Sequence, residues 1–223
     1  MGLDMYLNRM PRYKKVTAEQ ISAIENWLDY ETRDEEYKDS TFERWCGMSE
    51  EDLPSKEIID YYRQFYGKKY SLWDTDHKYG WDRIMEQVGY WRKVNAIHNW
   101  FVENVQYGED DCRYHREVTK EMLEMLRSTC NVVIKESELV QGSVYNGISY
   151  KNGKETKEYI DGLVVEDYST AERLLPTTSG FFFGGTDYNE WYISGLKGTV
   201  EIIDKVLETT DFEKEMIYYV SSW

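Results

Sequence analysis

The stretch Tyr90 to Val105, YWRKVNAIHNWFVENV, constrains the fold of this chain more than any other. At about 100° per residue, Trp91, Val94, His98, Phe101, Val102 and Val105 share one stripe, with Asn95 at its margin beside Arg92 and Asn99. The pattern predicts a helix across the whole stretch, with an upstream extension toward Trp81. His98 sits in the middle of the apolar seam, and a buried imidazole must find hydrogen-bond partners. Read structurally, it is a satisfied core histidine with an exposed polar flank. Read functionally, Trp91, Arg92, Asn95, His98 and Asn99 form one side of a pocket for a planar ligand, with aromatic faces for stacking and Arg or Asn for orientation.

Around this element the periodicity predicts an α+β fold. Leu3, Met5 and Leu7 alternate with Asp4, Tyr6 and Asn8, the period of a strand with one buried face. Thr17 and Gln20 make a capping box for a helix carrying Ile21, Ile24 and Leu28. From 31 to 80 the chain turns acidic and tyrosine-rich, an insertion with one or two helices, the clearer one capped by Ser55 and closed by Gly67. Its Trp45 and Trp73, and Trp81 just beyond, are expected to pack inward or line a cleft. Residues 112 to 118 read as a strand, and Thr119 caps a helix bearing Met122, Leu123, Leu126 and Cys130. Asn146-Gly147 and Asn152-Gly153 are hairpin signals that make 137–170 a peripheral β-hairpin excursion.

In the last quarter, Phe181-Phe182-Phe183 reads as a central strand buried on both faces, since three consecutive phenylalanines cannot all face water. Asp187 and Glu190 then offer a capping box for a helix with Tyr192, Leu196, Val200, Ile203 and Leu207, and Met216 to Trp223 is the final strand. The expected architecture is a single domain, 1–223, with a central mixed or antiparallel sheet of both terminal strands and the Phe strand, covered by helices.

Composition narrows the function classes. A formal charge of −15 and a pI near 4.7 argue against direct nucleic-acid binding, which draws on clustered Lys and Arg. They suit a basic protein partner, or simply keep a chain with 16% aromatic residues soluble. Cys46, Cys112 and Cys130 are widely spaced and odd in number, and the opening residues lack a signal-peptide pattern, so free thiols and a cytoplasmic location are expected. No apolar run reaches the roughly 18 residues a membrane span needs.

Candidate chemistry is sparse. Gly184-Gly185-Thr186-Asp187 lies where backbone N–H groups hold anions, but Asp187 supplies its own carboxylate, so a tight turn is the simpler reading. Cys112 and His115 have a metal-like C-x-x-H spacing that His98, Asp110 and Asp111 extend, yet residues three apart on a strand face opposite ways. Cys112 with His98 makes a catalytic pair on paper, without a surrounding motif. The reading therefore has no catalytic residue, no metal and no cofactor. Asp4, Thr177, Thr178, Ser179, Tyr188, Ser221, Ser222 and Trp223 are candidate neighbours of the pocket, and Thr178 and Tyr188 join its expected ligand-binding set.

GLDMYL at the start, YWRKVNAIHNWF, LLPTTSGFFFGGTDYNEWY and the terminal SSW together resemble a family of small proteins found in bacteriophages and prophages. Members are sometimes labelled phosphoglycerate kinase, a name that this length and the lack of a kinase-like nucleotide motif do not support. The resemblance covers about half the chain and omits 31–80 and 137–170. It implies a phage product acting inside a bacterial cell, of the accessory kind that counters host defence. Two mechanisms fit the residues: sequestration of a nucleotide-derived signal in the aromatic and polar pocket, or competition by the acidic surface for a basic site on a host nuclease or CRISPR effector. A small hydrolase or nucleotide-modifying enzyme is the further alternative.

Overall fold

The computed structural model describes residues 2–33, 37–67, 84–151 and 154–223; Trp73, Trp81 and Asn152-Gly153 fall outside them. The fold is α+β, and both terminal strands share one sheet. Strand β1 (Asp4–Pro11) lies between β2 (Glu86–Arg92) and β5 (Glu215–Ser222). Leu3 O accepts from Lys93 N and Arg12 N donates to Lys214 O, and β1 runs antiparallel to β5. The alternation of Leu3, Met5 and Leu7 is realised as buried side chains, with Met10 continuing the row after a change of phase.

Three expectations are overturned. Residues 86–92 form a strand and not the first turns of a helix, because Gln87, Gly89 and Trp91 are buried in alternation; the helix, α4 (Asn95–Asn104), starts only after Lys93. Phe181–Phe183 is a turn and not the central strand, a place β1 takes. Only Phe183 is buried, whereas Phe181 is 73% and Phe182 50% exposed, and the flanking Gly180 and Gly184 leave too short a run for pairing. Residues 112–118 are an irregular loop with one bridging residue.

The contacts divide the chain into two compact units. One comprises Leu7–Val88 and Asp211–Tyr218. Here α1 (Ala18–Thr32) is started by the Thr17–Gln20 capping box and buries Ile21, Ile24 and Leu28, and it is followed by α2 (Phe42–Cys46) and α3 (Lys56–Arg63). Ser55 precedes α3 without a side-chain cap bond, and Trp45 is partly buried against Tyr37. Buried Glu25 accepts from the backbone N–H groups of Ile84 and Met85 at 2.7 and 2.8 Å, which satisfies a carboxylate that burial alone would penalise.

The other unit comprises Met1–Tyr6, Gly89–Thr210 and Tyr219–Trp223. After α4 come α5 (Lys120–Glu136), the antiparallel hairpin β3 (Leu139–Lys151) and β4 (Lys154–Val165), α6 (Ser169–Leu174) and α7 (Glu190–Thr209). Leu123, Leu126, Cys130 and Val133 of α5 and Leu196, Thr199, Ile203 and Val206 of α7 form the buried stripes of two helices that pack together, with Arg127 bonded to Asp204 at 2.9 Å. The excursion is one long hairpin. Asn146-Gly147 is a β-bulge within β3, since the register shifts between Tyr145 and Gly147. Among the described residues no helix is long and apolar enough to cross a membrane.

Candidate ligand-binding cleft

The site is built where β2 ends and α4 begins. Lys93 adopts a left-handed conformation (φ 58°), which costs a non-glycine residue roughly 1–2 kcal/mol, and its N–H is held by Leu3 O at 2.9 Å. The turn brings the chain against Gly184, whose φ is 95° and where a Cβ would lie 3.1 Å from Lys93 O. Only glycine satisfies both the dihedral and the approach. Asn95, at the start of α4 and 3% exposed, then ties two segments together. Its Nδ2 donates to Phe183 O (3.3 Å) and Gly185 O (2.8 Å), and its Oδ1 accepts from Thr178 N (3.1 Å).

These contacts floor a cleft of about 440 Å³ whose lining includes Arg92, Lys93, Asn95, Tyr145, Asp187 and Trp191. Asn189 closes its helical side by capping α7, accepting from Trp191 N and Tyr192 N at 2.9 and 3.2 Å; Asn189, not Asp187, is therefore the helix cap. Asp187 is exposed and lines the cleft. Trp191 is 71% exposed although it lies in the first turn of α7, where the next two residues are buried. Arg92 is half exposed; it makes a long ion pair, 3.6 Å, with Asp4 and also meets the Tyr90 hydroxyl, which donates to Asp4 at 2.5 Å.

Of the residues expected at the site, Arg92 and Asn95 line this cleft. The others lie elsewhere. Trp91 points into the core, its Nε1 donating to Thr199 Oγ1 at 3.0 Å. Asn99 faces a small pocket of about 170 Å³ beside Trp100 and Leu175. Thr178 contributes its backbone N–H to Asn95, and Thr177 lines the cleft. Tyr188 stacks on Tyr168 at 5.0 Å.

His98 is fully buried and held at both nitrogens: Tyr219 Oη is 2.7 Å from Nδ1 and Asp110 Oδ1 is 3.0 Å from Nε2. The carboxylate can only accept, so Nε2 carries the proton and the tyrosine hydroxyl donates to Nδ1. Burial holds the imidazole pKa below its ordinary value, against a smaller upward pull from Asp110. Trp223 Nε1 donates to the same Asp110 oxygen at 3.1 Å, and Phe183 meets the ring edge-on at 5.2 Å. His98 is thus a satisfied core histidine.

Glu109, Asp111 and His115 bring ligand atoms within 4.8 Å of one another, and His115 Nε2 bonds Asp111 at 2.7 Å. This group could hold a cation; Cys112, which is exposed, is not part of it, and His98 is engaged with Asp110. Sequence reasoning missed Lys93, Tyr145 and Trp191. The available signal was the Arg92-Lys93 pair directly ahead of an apolar helix in an acidic chain; nothing in the sequence pointed to Trp191. The chain matches no family model, no curated protein and no solved structure.

Proposed function

We propose that this cleft binds a nucleotide-derived small molecule without transforming it, and that the chain acts by sequestration. The observation that supports the reading is the pairing of two adjacent cations, Arg92 and Lys93, with an exposed Trp191 around one concave site in a chain of net charge −15. A nucleotide offers the complement to each part of the lining. Phosphate suits the guanidinium and ammonium, a base suits the faces of Trp191 and Tyr145, and ribose hydroxyls suit an acceptor such as Asp187. The volume lies within the range of small-molecule sites. The floor is preorganised by bonds that Asn95 and Asn189 already make, which lowers the cost of binding. His98, which the sequence pairs with Cys112 on paper, is fully buried and does not line the cleft, which favours holding over catalysis. In the phage setting that the resemblance implies, capturing such a signal would blunt a host defence.

The test is native mass spectrometry of protein purified from a bacterial host, followed by denaturation and identification of what is released. A nucleotide is expected from the wild type, and it should be lost from Arg92→Ala/Lys93→Ala. In titrations with a panel of linear and cyclic nucleotides, that variant and Trp191→Ala should each bind at least ~10-fold more weakly, since one charge-assisted contact or one stacked base is worth about 1.4 kcal/mol or more. Equal binding by all three proteins would sink the assignment, and chemically altered ligand would move it to an enzyme.

A further inference from the structure

The hairpin poses a problem of its own. Past the bridge between Val164 and Asn189, its far half belongs to a sheet that has two strands among the described residues, and it exposes large side chains in both, Ile148 and Tyr150 in β3, Tyr159 and Ile160 in β4. An isolated two-stranded ribbon is marginal in water, and an open strand edge is a template for pairing. The two edges differ. That of β3 is broken by the bulge between Tyr145 and Gly147, whereas β4 runs from Lys154 to Val165 without a register shift of its own.

The direction of the β4 backbone is fixed by one bond. Val165 N donates to Tyr188 O, away from β3, so alternation along the strand aims the N–H groups of 163, 161, 159, 157 and 155 at the same outer edge. A second strand can add there only in a register that sets outward-facing residues opposite one another. For two antiparallel copies of β4 related by a two-fold axis, five such registers centre on residues 154–158, and those at Lys154 and Glu158 set like charge on like. An axis at Glu155 sets Glu155 on Glu155, and one at Lys157 sets Lys157 on Lys157. An axis at Thr156 sets Glu155 opposite Lys157 and Lys154 opposite Glu158, with threonine facing threonine. The sequence KETKE is thus complementary in charge to its own reverse, on both faces of the ribbon at once.

We propose that the chain forms a homodimer by antiparallel pairing of two β4 edges about Thr156, which merges two hairpins into one four-stranded sheet. Edge lysines by themselves would be a device against pairing. Here each lysine instead has a glutamate at the position where the second copy presents it, and the backbone donors lie in step with those pairs. The partner is another copy of this chain because the charge order, Lys-Glu-Thr-Lys-Glu, selects its own antiparallel image over a strand of uniform charge.

Sedimentation equilibrium over a wide concentration range tests it with the full chain. Wild type should show a monomer–dimer equilibrium that weakens with added salt. Lys154→Glu/Lys157→Glu and Glu155→Lys/Glu158→Lys, both at exposed or half-exposed positions of the hairpin, should keep the wild-type circular dichroism spectrum. Each should dimerise with itself about a hundredfold more weakly, since every cross-strand attraction becomes a repulsion. An equimolar mixture of the two should recover the dimer as a heterodimer. A wild type that stays monomeric throughout, a dimer that survives in both variants, or a mixture that does not recover it would overturn the proposal.

Discussion

Replacing Asn95 by alanine removes the one side chain that fastens the turn at 183–185 and the segment at 178 to α4. Three hydrogen bonds disappear, to Phe183 O, Gly185 O and from Thr178 N, at a residue only 3% exposed. A typical intramolecular bond contributes about 0.5–1.5 kcal/mol net, and stranding a buried backbone group costs about 1–3 kcal/mol. Two of the three bonds are part-buried, so water can reach some of the groups left behind. The expected loss is therefore about 2–3 kcal/mol, toward the low end of the sum. Urea denaturation followed by tryptophan fluorescence gives the stability. If unfolding proceeds in more than one step, the step that shifts should belong to the unit containing residues 89–210. Amide exchange gives a sharper readout. The Thr178 N–H should lose protection in Asn95→Ala but keep much of it in Asn95→Asp, whose carboxylate can still accept that bond. Asn95→Asp should nonetheless be at least as unstable at neutral pH, because it sets an anion against the two carbonyls that the amide had satisfied. A loss below about 0.5 kcal/mol for alanine, within the range of ordinary surface substitutions, or a wild-type Asn95→Asp, would refute the account of the floor.

Two further perturbations probe the unit's core. Because burial holds the folded pKa of His98 below 6.5, the unfolded chain takes up the proton first as pH falls. Stability should be complete above about pH 6.5 and decline below it, with a slope of up to ~1.4 kcal/mol per pH unit down to the folded pKa; the decline between pH 6.5 and 5 should vanish in His98→Gln, and a wild type flat over that range would contradict the buried neutral imidazole. Cysteine alkylation at pH 8 should modify exposed Cys112 first and leave Cys130 untouched until the chain unfolds, since burial pushes the Cys130 thiol up to about 12; early labelling at Cys130 by peptide mapping would show that the α5 stripe is not closed.

Where one periodicity dominated, the sequence was legible. Leu3, Met5 and Leu7 alternate without competition, and the caps at Thr17 and Thr119 precede clean helical stripes, so those elements form as read. The failures have physical causes. Gln87, Gly89 and Trp91 alternate as a strand requires, but Trp91, Val94 and His98 also satisfy a helical stripe; the arbiter is the left-handed Lys93, a conformation that no lysine announces. The three phenylalanines were weighed by hydrophobicity alone, whereas glycine on either side and a left-handed Phe182 (φ 61°) make them a turn. Asp187 and Asn189 are both good caps, and the choice between them depends on where the helix begins to pack, which is a tertiary matter.

The strand at 86–92, read as helix, also explains why only two of the seven residues expected to bind ligand, Arg92 and Asn95, line the cleft. On a helix, Arg92, Asn95 and Asn99 would share one margin with His98, and a pocket could draw on all of them. On a strand that ends at Arg92, followed by a left-handed turn, the same residues separate. Trp91 turns inward to Thr199, Arg92 and Lys93 both line the cleft, and Asn95 joins its floor with its amide already committed. His98, one helical turn further on, is carried to Tyr219 and Asp110 and becomes part of the core. The cationic pair is therefore a product of the break in periodicity and not of either period. An exposed Trp191, which no sequence pattern required, completes the cleft from the far end of the chain. A ligand lost on replacing Arg92, Lys93 or Trp191 but kept without His98 is the result that would tell the folded cleft from the site the helical reading assembled.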